Sequence, residues 1–281
     1  TVTIHFSSGN NYEITTFRTE SEYSDNRHPD KVEFVDDLTA DLARRDFTIN
    51  AMAYNDNEGL IDPYGGQEDL KNSIRCVGNP DDRFREDALR ILRAIRFSST
   101  YGFVIDHNTE VAMLKNFKLL NYISAERIRE ELCKTLVGTN SRICLIRYWL
   151  IITEIIPELL PCVRFNQNNQ YHEFDVYEHI CKSVGAYTGN DIAIKMALLL
   201  HDIGKPYCYT EDERGGHFYG HPAASHKIAE DILSRLKFDN KTRDAILELV
   251  LYHDVEIKPS KRVARRLLNK LGTERVRQLI E

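Results

Sequence analysis

The sequence lacks any run of about 18 apolar residues, so nothing in it reads as a membrane-spanning helix. Its opening stretch, residues 1–14, has neither the basic flank nor the apolar stretch of a secretory signal. Val2, Ile4 and Phe6 alternate with polar residues there, which reads as the middle of a sheet, and further chain is expected upstream. No C-x-x-C pair occurs. Cys76, Cys133, Cys144, Cys162, Cys181 and Cys208 are scattered, as expected of buried thiols in a reducing, cytoplasmic protein rather than a disulfide framework or zinc finger. Internal repeats and low-complexity tracts are absent too. What remains, 281 residues that are 42% apolar, can bury a sizeable core in two or three domains.

A net charge of −6 argues against a general nucleic-acid binder, but the charge is unevenly spread. Residues 1–70 hold 15 acidic and 5 basic side chains, 71–100 hold 4 and 7, and 258–281 hold 2 and 8. An acidic head beside basic segments suits metal and phosphate chemistry with a polyanion nearby, although solvated faces give the same pattern. A hairpin is expected over the first strand and YEITTFR (12–18), then a long mobile loop over 19–36 and a helix over 41–54. From about residue 81 the period is helical, with helices near 85–100, 124–137, 141–157, 175–188, 191–201, 222–236, 241–254 and 260–280. The expected class is α+β: a small α/β head on an all-helical body.

Two arginine-bearing segments offer phosphate chemistry. Arg44 and Arg45 are expected at the start of a helix, where guanidiniums and the helix dipole would both favour an anion. A surface ion pair with Asp46 is the plainer reading. In the second segment Asp87, Arg90, Arg93 and Arg96 recur every third residue, which on one helix makes a polar stripe. Such a stripe needs a triphosphate, an RNA backbone or acidic neighbours to relieve its repulsion.

RRDFTINAMA (44–53), IDPYGGQEDL (61–70) and REDALRILRAIRF (85–97), with YEITTFR before them and AERIREEL (125–132) after, resemble the class II tRNA nucleotidyltransferases and bacterial poly(A) polymerases over roughly residues 1–135. The resemblance implies a partial nucleotidyltransferase-type α/β head (1–70), a nucleotide-selecting helical neck (71–137), an HD-type body (138–257) and the start of a basic tail (258–281). It implies template-independent addition of the 3′-terminal CCA to tRNA from CTP and ATP, with no membrane partner. An A-adding enzyme or poly(A) polymerase is the alternative, and the loop over 19–36 resembles an element that favours full CCA addition. By the same resemblance Asp87 and Arg90 choose the incoming base, and Arg44, Arg45, Arg93 and Arg96 hold phosphate or nucleotide. Asp62, with Pro63 and the Gly65–Gly66 turn, would have a structural or hinge role, and Glu13 would be one of the carboxylates serving Mg2+ at the head. The Gly-Gly loop and D-x-D pair of that family are expected upstream of Thr1. Without them the chain would not add nucleotides.

His179, His201-Asp202 and Asp254 fall in the order H…HD…D, which resembles the HD superfamily over about 172–256. The resemblance implies that these four side chains hold a divalent cation (Mg2+, Mn2+, Ni2+ or Zn2+) and leave positions for water. His221, His226 and His253 are further candidates, and a second ion is conceivable. A metal-dependent phosphohydrolase acting on a 2′,3′-cyclic phosphate or a nucleotide, a purely structural body, and a non-catalytic RNA-binding protein stay open as other readings.

Overall fold

The computed structural model describes residues 2–7, 9–21, 31–167, 174–213, 215–257 and 260–281. The chain forms two compact units, Thr1–Ala94 with Phe103–Ile123 and Ile95–Gly102 with Ser124–Glu281.

The first unit is built from short strands and helices. Strands β1 (Val2–His5) and β2 (Asn11–Ile14) make an antiparallel hairpin that pairs Val2 with Ile14 and Ile4 with Tyr12. Directly opposed residues share a face, so these four form an apolar side, and all four are exposed. Strands β3 (Arg18–Ser21) and β4 (Lys31–Phe34) pair likewise. Much of the expected loop over 19–36 is therefore a hairpin, and its middle, 22–30, lies outside the described residues. Helix α1 (Leu38–Ala43) begins at Asp37, whose carboxylate accepts the Thr39 N–H at 2.8 Å.

The helix expected over 41–54 does not form. Helix α1 stops at Ala43, Arg44 caps its C-terminus, and after a turn a 3-10 segment covers Thr48–Asn50. The helix-dipole argument for Arg44 and Arg45 is thereby reversed, because they sit at the electronegative end. Strands β5 (Ala53–Asn55) and β6 (Gly59–Ile61) form a hairpin, and helix α2 (Gly66–Asp69) follows. Asp62 accepts the Gly66 and Gln67 N–H groups at 2.7 and 2.9 Å, a structural role like the one expected of it. A side chain at Gly66 would lie 2.2 Å from the Thr48 carbonyl, so this crossing requires glycine. Strand β7 (Ser73–Ile74), helix α3 (Pro80–Glu86), helix α4 (Leu89–Tyr101), strand β8 (Val104–Ile105) and helix α5 (His107–Asn116) complete the unit, with β7 and β8 parallel and α3 packed on α5. The side chains of Leu42, Phe47, Ile74, Phe84, Ile91 and Met113 are fully buried.

The second unit takes the later part of α4 and is mainly helical: α6 (Ala125–Val137), α7 (Ser141–Arg147), α8 (Trp149–Ile155), α9 (Val176–Ala186), α10 (Ile192–Leu200), α11 (His221–Arg235), α12 (Asn240–Tyr252) and α13 (Lys261–Ile280). Most helices expected after residue 81 appear close to their read positions. The one over 141–157 is broken at Tyr148, whose φ/ψ of −106/30 leaves the helical region. The one over 85–100 is broken at Asp87, which is extended at −146/102 and ends α3 before α4 starts. A hairpin of β9 (Thr210–Asp212) and β10 (Gly215–His217) interrupts the helical pattern.

Helix α10 organises this unit. Its sequence IAIKMALLL is apolar nearly all round, and it packs against α6, α9 and α12. Its one charge, Lys195, is buried, with Nζ donating to the Val184 and Tyr187 carbonyls at 2.8 and 2.5 Å. Burial pushes the pKa of that ammonium down. Asp191 starts the helix by accepting from the Ala193 and Ile194 N–H groups, and the far end delivers His201. No helix among the described residues is long and apolar enough to cross a membrane.

Candidate functional site

In the first unit the segments carrying Arg44, Arg45, Asp87, Arg90 and Arg93 do meet, but as a network of ion pairs. Asp41, 1% exposed, takes Arg44 Nε and Nη2 on Oδ1 at 2.9 and 2.7 Å, and Arg45 Nη2 on Oδ2 at 3.3 Å. Oδ1 also accepts the Arg18 N–H at 3.2 Å. Burial opposes ionisation of Asp41, but the hydrogen bonds from Arg44 and the Arg18 backbone hold its carboxyl below the usual range. Arg90 is buried, donating to Glu86 at 2.7 Å and to the carbonyls of Arg83 and Arg44 at 3.0 and 3.1 Å. Arg93 pairs with Asp46, which also accepts from Phe47 N–H and Asn50 Nδ2.

Asp87 does not extend the stripe as the next residue of one helix. Its Oδ1 accepts the Leu89 N–H at 3.0 Å, so it closes the start of α4 as an Asx turn. Arg96 belongs to the second unit, where it pairs with Glu131 at 3.2 Å and lies over the Phe97 ring. Each arginine of the α4 stripe is thus met by a carboxylate of the chain itself: Glu86, Asp46 or Glu131. Glu13 stands on exposed β2 opposite Thr3, and among the described residues its side chain joins none of these groups.

The second unit gathers His179, His201 and Asp202 with His221 and His253. They line one cavity of about 620 Å3. Asp202 is 2% exposed and splits its oxygens between two histidine pairs. Oδ2 lies 3.3 Å from His179 Nε2 and 3.2 Å from His201 Nε2, and Oδ1 lies 3.2 Å from His221 Nε2 and 3.5 Å from His253 Nε2. Within each pair the Nε2 atoms are themselves 3.2 and 3.1 Å apart. On the outer side, Nδ1 of His201, His221 and His253 faces the carbonyls of Leu198, Phe218 and Val250 at 2.7–2.9 Å. A carbonyl can only accept, so Nδ1 carries the proton and each Nε2 turns a bare lone pair inward.

Lone pairs aimed at a carboxylate repel it unless a cation lies between them. Oδ1 of Asp202 is a buried oxygen without a hydrogen-bond partner among the described residues, as a metal ligand would be. Two sets of ligand atoms share this carboxylate, His179–His201–Asp202 and Asp202–His221–His253, each within 4.8 Å. These residues fit a divalent cation, and nitrogen with oxygen donors suits a transition metal. Lys205 adds an ammonium 2.8 Å from Oδ2 and is braced by Gln167 at 2.9 Å.

Local structure explains the placement. His253 extends α12 in helical conformation, so its ring points inward with the helix face, while Asp254 follows in the turn. Asp254 lines the cavity, but the atoms at ligand distance there belong to His253 and His221. His226 is not among the lining residues. The HDIG turn runs against α11 so closely that a side chain at Gly204 would lie 2.5 Å from the Ser225 nitrogen. Sequence reading ranked His221 and His253 below Asp254. The signal available was that His221 and His253, like His201, sit at helix ends.

Residues 1–75 match the family described as "Poly A polymerase head domain", 102–163 that described as "Probable RNA and SrmB-binding site of polymerase A", and 171–278 the HD domain. Over these segments the chain is similar to tRNA nucleotidyltransferases and poly(A) polymerases that carry an HD domain. The CCA-adding enzyme of Lactobacillus helveticus (strain DPC 4571) is 54% identical over 143 residues, which is 50% of this chain and 36% of that enzyme. That of Ligilactobacillus salivarius (strain UCC118) is 55% identical over 135 residues, 48% of this chain and 33% of that one. The matches thus span about a third of these relatives' length. Among solved structures, the Bacillus stearothermophilus CCA-adding enzyme in complex with CTP superposes with a TM-score of 0.67 and 30% identity, covering 99% of this chain and 61% of that one. An apo form of a CCA-adding enzyme, 21% identical with a TM-score of 0.59, shares the fold.

Proposed function

We propose that this chain is the nucleotide-selecting and RNA-holding part of a transferase that builds the 3′-terminal CCA of tRNA from CTP and ATP. Its likeness to the CTP-bound Bacillus stearothermophilus enzyme at 30% identity over 99% of its length carries this reading. In the reaction the RNA 3′-hydroxyl attacks the nucleotide α-phosphate, the bond to the β-phosphate breaks, and pyrophosphate leaves with the electron pair. Mg2+ at the head would supply charge neutralisation on those oxygens, with Glu13 as one of its carboxylates. Asp87, whose acceptor faces the start of α4, and Arg90, fixed by Glu86 and two carbonyls, would present acceptor and donors to the base edge. Arg44, Arg45, Arg93 and Arg96 would meet phosphates by exchanging their present carboxylates for the ligand. The chain with its full flanking sequence, given tRNA lacking CCA, Mg2+ and labelled CTP and ATP, should add two C and one A in order. Incorporation of A alone or a long A tract points to the A-adding alternative, and no incorporation overturns the transferase reading.

The arrangement around Asp202 favours a second activity in the same chain, divalent-metal-dependent hydrolysis of a phosphoester. A cation bound there (Mg2+, Mn2+, Ni2+ or Zn2+) would lower the pKa of a water for attack on phosphorus. The protein's own share is to hold four imidazoles and one carboxylate in place and to set Lys205 beside them. Calorimetric titration with Mn2+ and Ni2+, paired with hydrolysis of a 2′,3′-cyclic nucleotide, tests it. Failure to bind either ion removes this reading and leaves the transferase one intact.

A further inference from the structure

The metal cavity has a further wall that neither reading above uses. Strand β10 leads into Phe218 and Tyr219, and both of these, with His217, line the cavity that holds the His–Asp cluster. Phe218 is half-buried, its ring 5.5 Å from that of Tyr209 and 6.5 Å from that of Phe165, with the Lys205 ammonium 5.3 Å away. Tyr219 is 79% exposed, and its ring stacks on the His217 imidazole with 5.3 Å between centroids and 14° between planes.

This pair is held in place. A side chain at Gly216 would lie 2.4 Å from the Gln167 carbonyl, so β10 runs tight against the residue whose side chain braces Lys205. His217 Nε2 lies 2.9 Å from Asp212 Oδ1 across the β9–β10 hairpin. Tyr219 is two residues ahead of His221, the first residue of α11 and one of the imidazoles of the cluster. An exposed ring anchored in this way has less freedom left to lose when a ligand covers it.

We propose that the Tyr219–His217 stack is the base platform of the metal centre, taking the heterocycle of a nucleotide whose phosphate lies on the His–Asp cluster. This rests on the metal-centre reading above. The cavity is graded as such a ligand requires. His201, Asp202 and His221 are buried at its inner end, where Lys205 adds a cation. Its exposed lining carries the Tyr219 ring and the carboxylate of Asp254, which disfavours a second anion and leaves an aromatic face for an uncharged ring. The volume of about 620 Å3 falls in the roughly 300–1,000 Å3 range of small-molecule sites. A base stacked at an open mouth keeps its polar edges in water and gives one π-face to the tyrosine. An acyl chain there would leave its own surface wet.

Calorimetric titration of the Mn2+-loaded chain tests the assignment on wild type, Tyr219→Ala and Tyr219→Phe. The ligands are adenosine 3′-monophosphate, a trinucleotide ending in the same 3′-phosphate, ribose 5-phosphate and phenyl phosphate. Wild type should bind a base-bearing ligand at least about fivefold tighter than ribose 5-phosphate, the lower end for stacking of one base. Tyr219→Ala should lose that margin while binding Mn2+ and ribose 5-phosphate as before. Tyr219→Phe, which keeps the ring, should retain it. A margin with the mononucleotide identifies a free nucleotide as the ligand, and one confined to the trinucleotide identifies an RNA end. No margin with either, a margin that survives Tyr219→Ala, or phenyl phosphate bound as tightly as the nucleotide overturns the proposal. If Mn2+ does not bind, the metal centre falls separately, and adenosine against ribose decides the platform. Preference for adenosine in wild type but not in Tyr219→Ala upholds it, and equal binding removes it.

Discussion

Arg93 and Asp46 lie 47 positions apart, yet the guanidinium donates from both Nε and Nη2 to a single carboxylate oxygen, at 2.7 and 2.6 Å. The other oxygen of Asp46 accepts from Phe47 and Asn50, so every strong donor to this buried carboxylate has a place. Arg93→Ala should lower stability by about 1.5–3 kcal/mol, the usual worth of hydrogen bonds to a charged group. Arg93→Lys should recover part of that, because it keeps the charge but not the fork. Urea denaturation of the two variants beside wild type measures both, and a shift of a few tenths of a kcal/mol for Arg93→Ala would contradict the role.

Asp87 offers a cleaner probe of nucleotide choice than removal of its side chain. Asp87→Asn keeps an oxygen for the Leu89 N–H and so preserves the start of α4. It converts one carboxylate acceptor to an amide donor. In the intact transferase the ratio of CTP to ATP incorporation should change while tRNA affinity stays within about twofold, about 0.4 kcal/mol. An unaltered ratio in single-turnover assays would sink the assigned role.

Acid should find the ion pairs of Asp41. Its folded-state pKa lies below the unfolded value of about 3.9, so its stabilising share is complete above that pH. That share is lost as pH falls through the folded value. Asp41→Asn lacks this titration, and the gap in denaturation midpoint between wild type and variant should be wide at pH 7 and narrow below about pH 4. A gap that stays constant from pH 7 to 3 would rule Asp41 out as the source.

How much of this was legible in the sequence varies with the range of the interaction. Helical period located α6, α9, α10, α11, α12 and α13, because each buries one face or all of its surface against neighbours that obey the same period. The break at Asp87 was not legible, because an aspartate reads equally as a stripe member or as a side chain that closes the next helix. The carboxylate partners of Arg93 and Arg96 were hidden for another reason: they stand 47 and 35 residues away and have no local signature. His179, His201 and Asp202 were read from their order. His253 and Asp254, one position apart at the end of α12, both line the cavity, and sequence boundaries are uncertain by more than that one residue.

Replacing Asp202 by Asn should affect both ligand sets at once, because one carboxylate serves both. An amide keeps the shape but loses the charge that holds the cation. Mn2+ affinity should fall by more than the roughly 10–100-fold typical of residues that merely support a ligand. His221→Ala should leave the His179–His201–Asp202 set able to bind. Calorimetry gives both stoichiometries, and equal loss from the two variants would contradict the division.

Thiol chemistry reports on packing independently of function. Burial pushes the thiols of Cys76, Cys162 and Cys181 up to about 12. These should stay unmodified by a disulfide reagent at pH 8 until the protein unfolds. Mass spectrometry of the native and urea-treated protein distinguishes them, and rapid native labelling of any of the three would contradict the packing around it.

The three imidazoles whose Nδ1 faces a carbonyl owe their proton placement to Leu198, Phe218 and Val250 through the main chain, not through any side chain. Peptide oxygens survive every point mutation. A drifting sequence can therefore exchange those three residues freely, as far as shape allows, without turning an inward nitrogen from acceptor to donor. Retuning the centre is left to changes in the ligands themselves or in the walls of the cavity. A lineage that altered substrate preference would record the change in those walls while its protonation pattern stayed fixed.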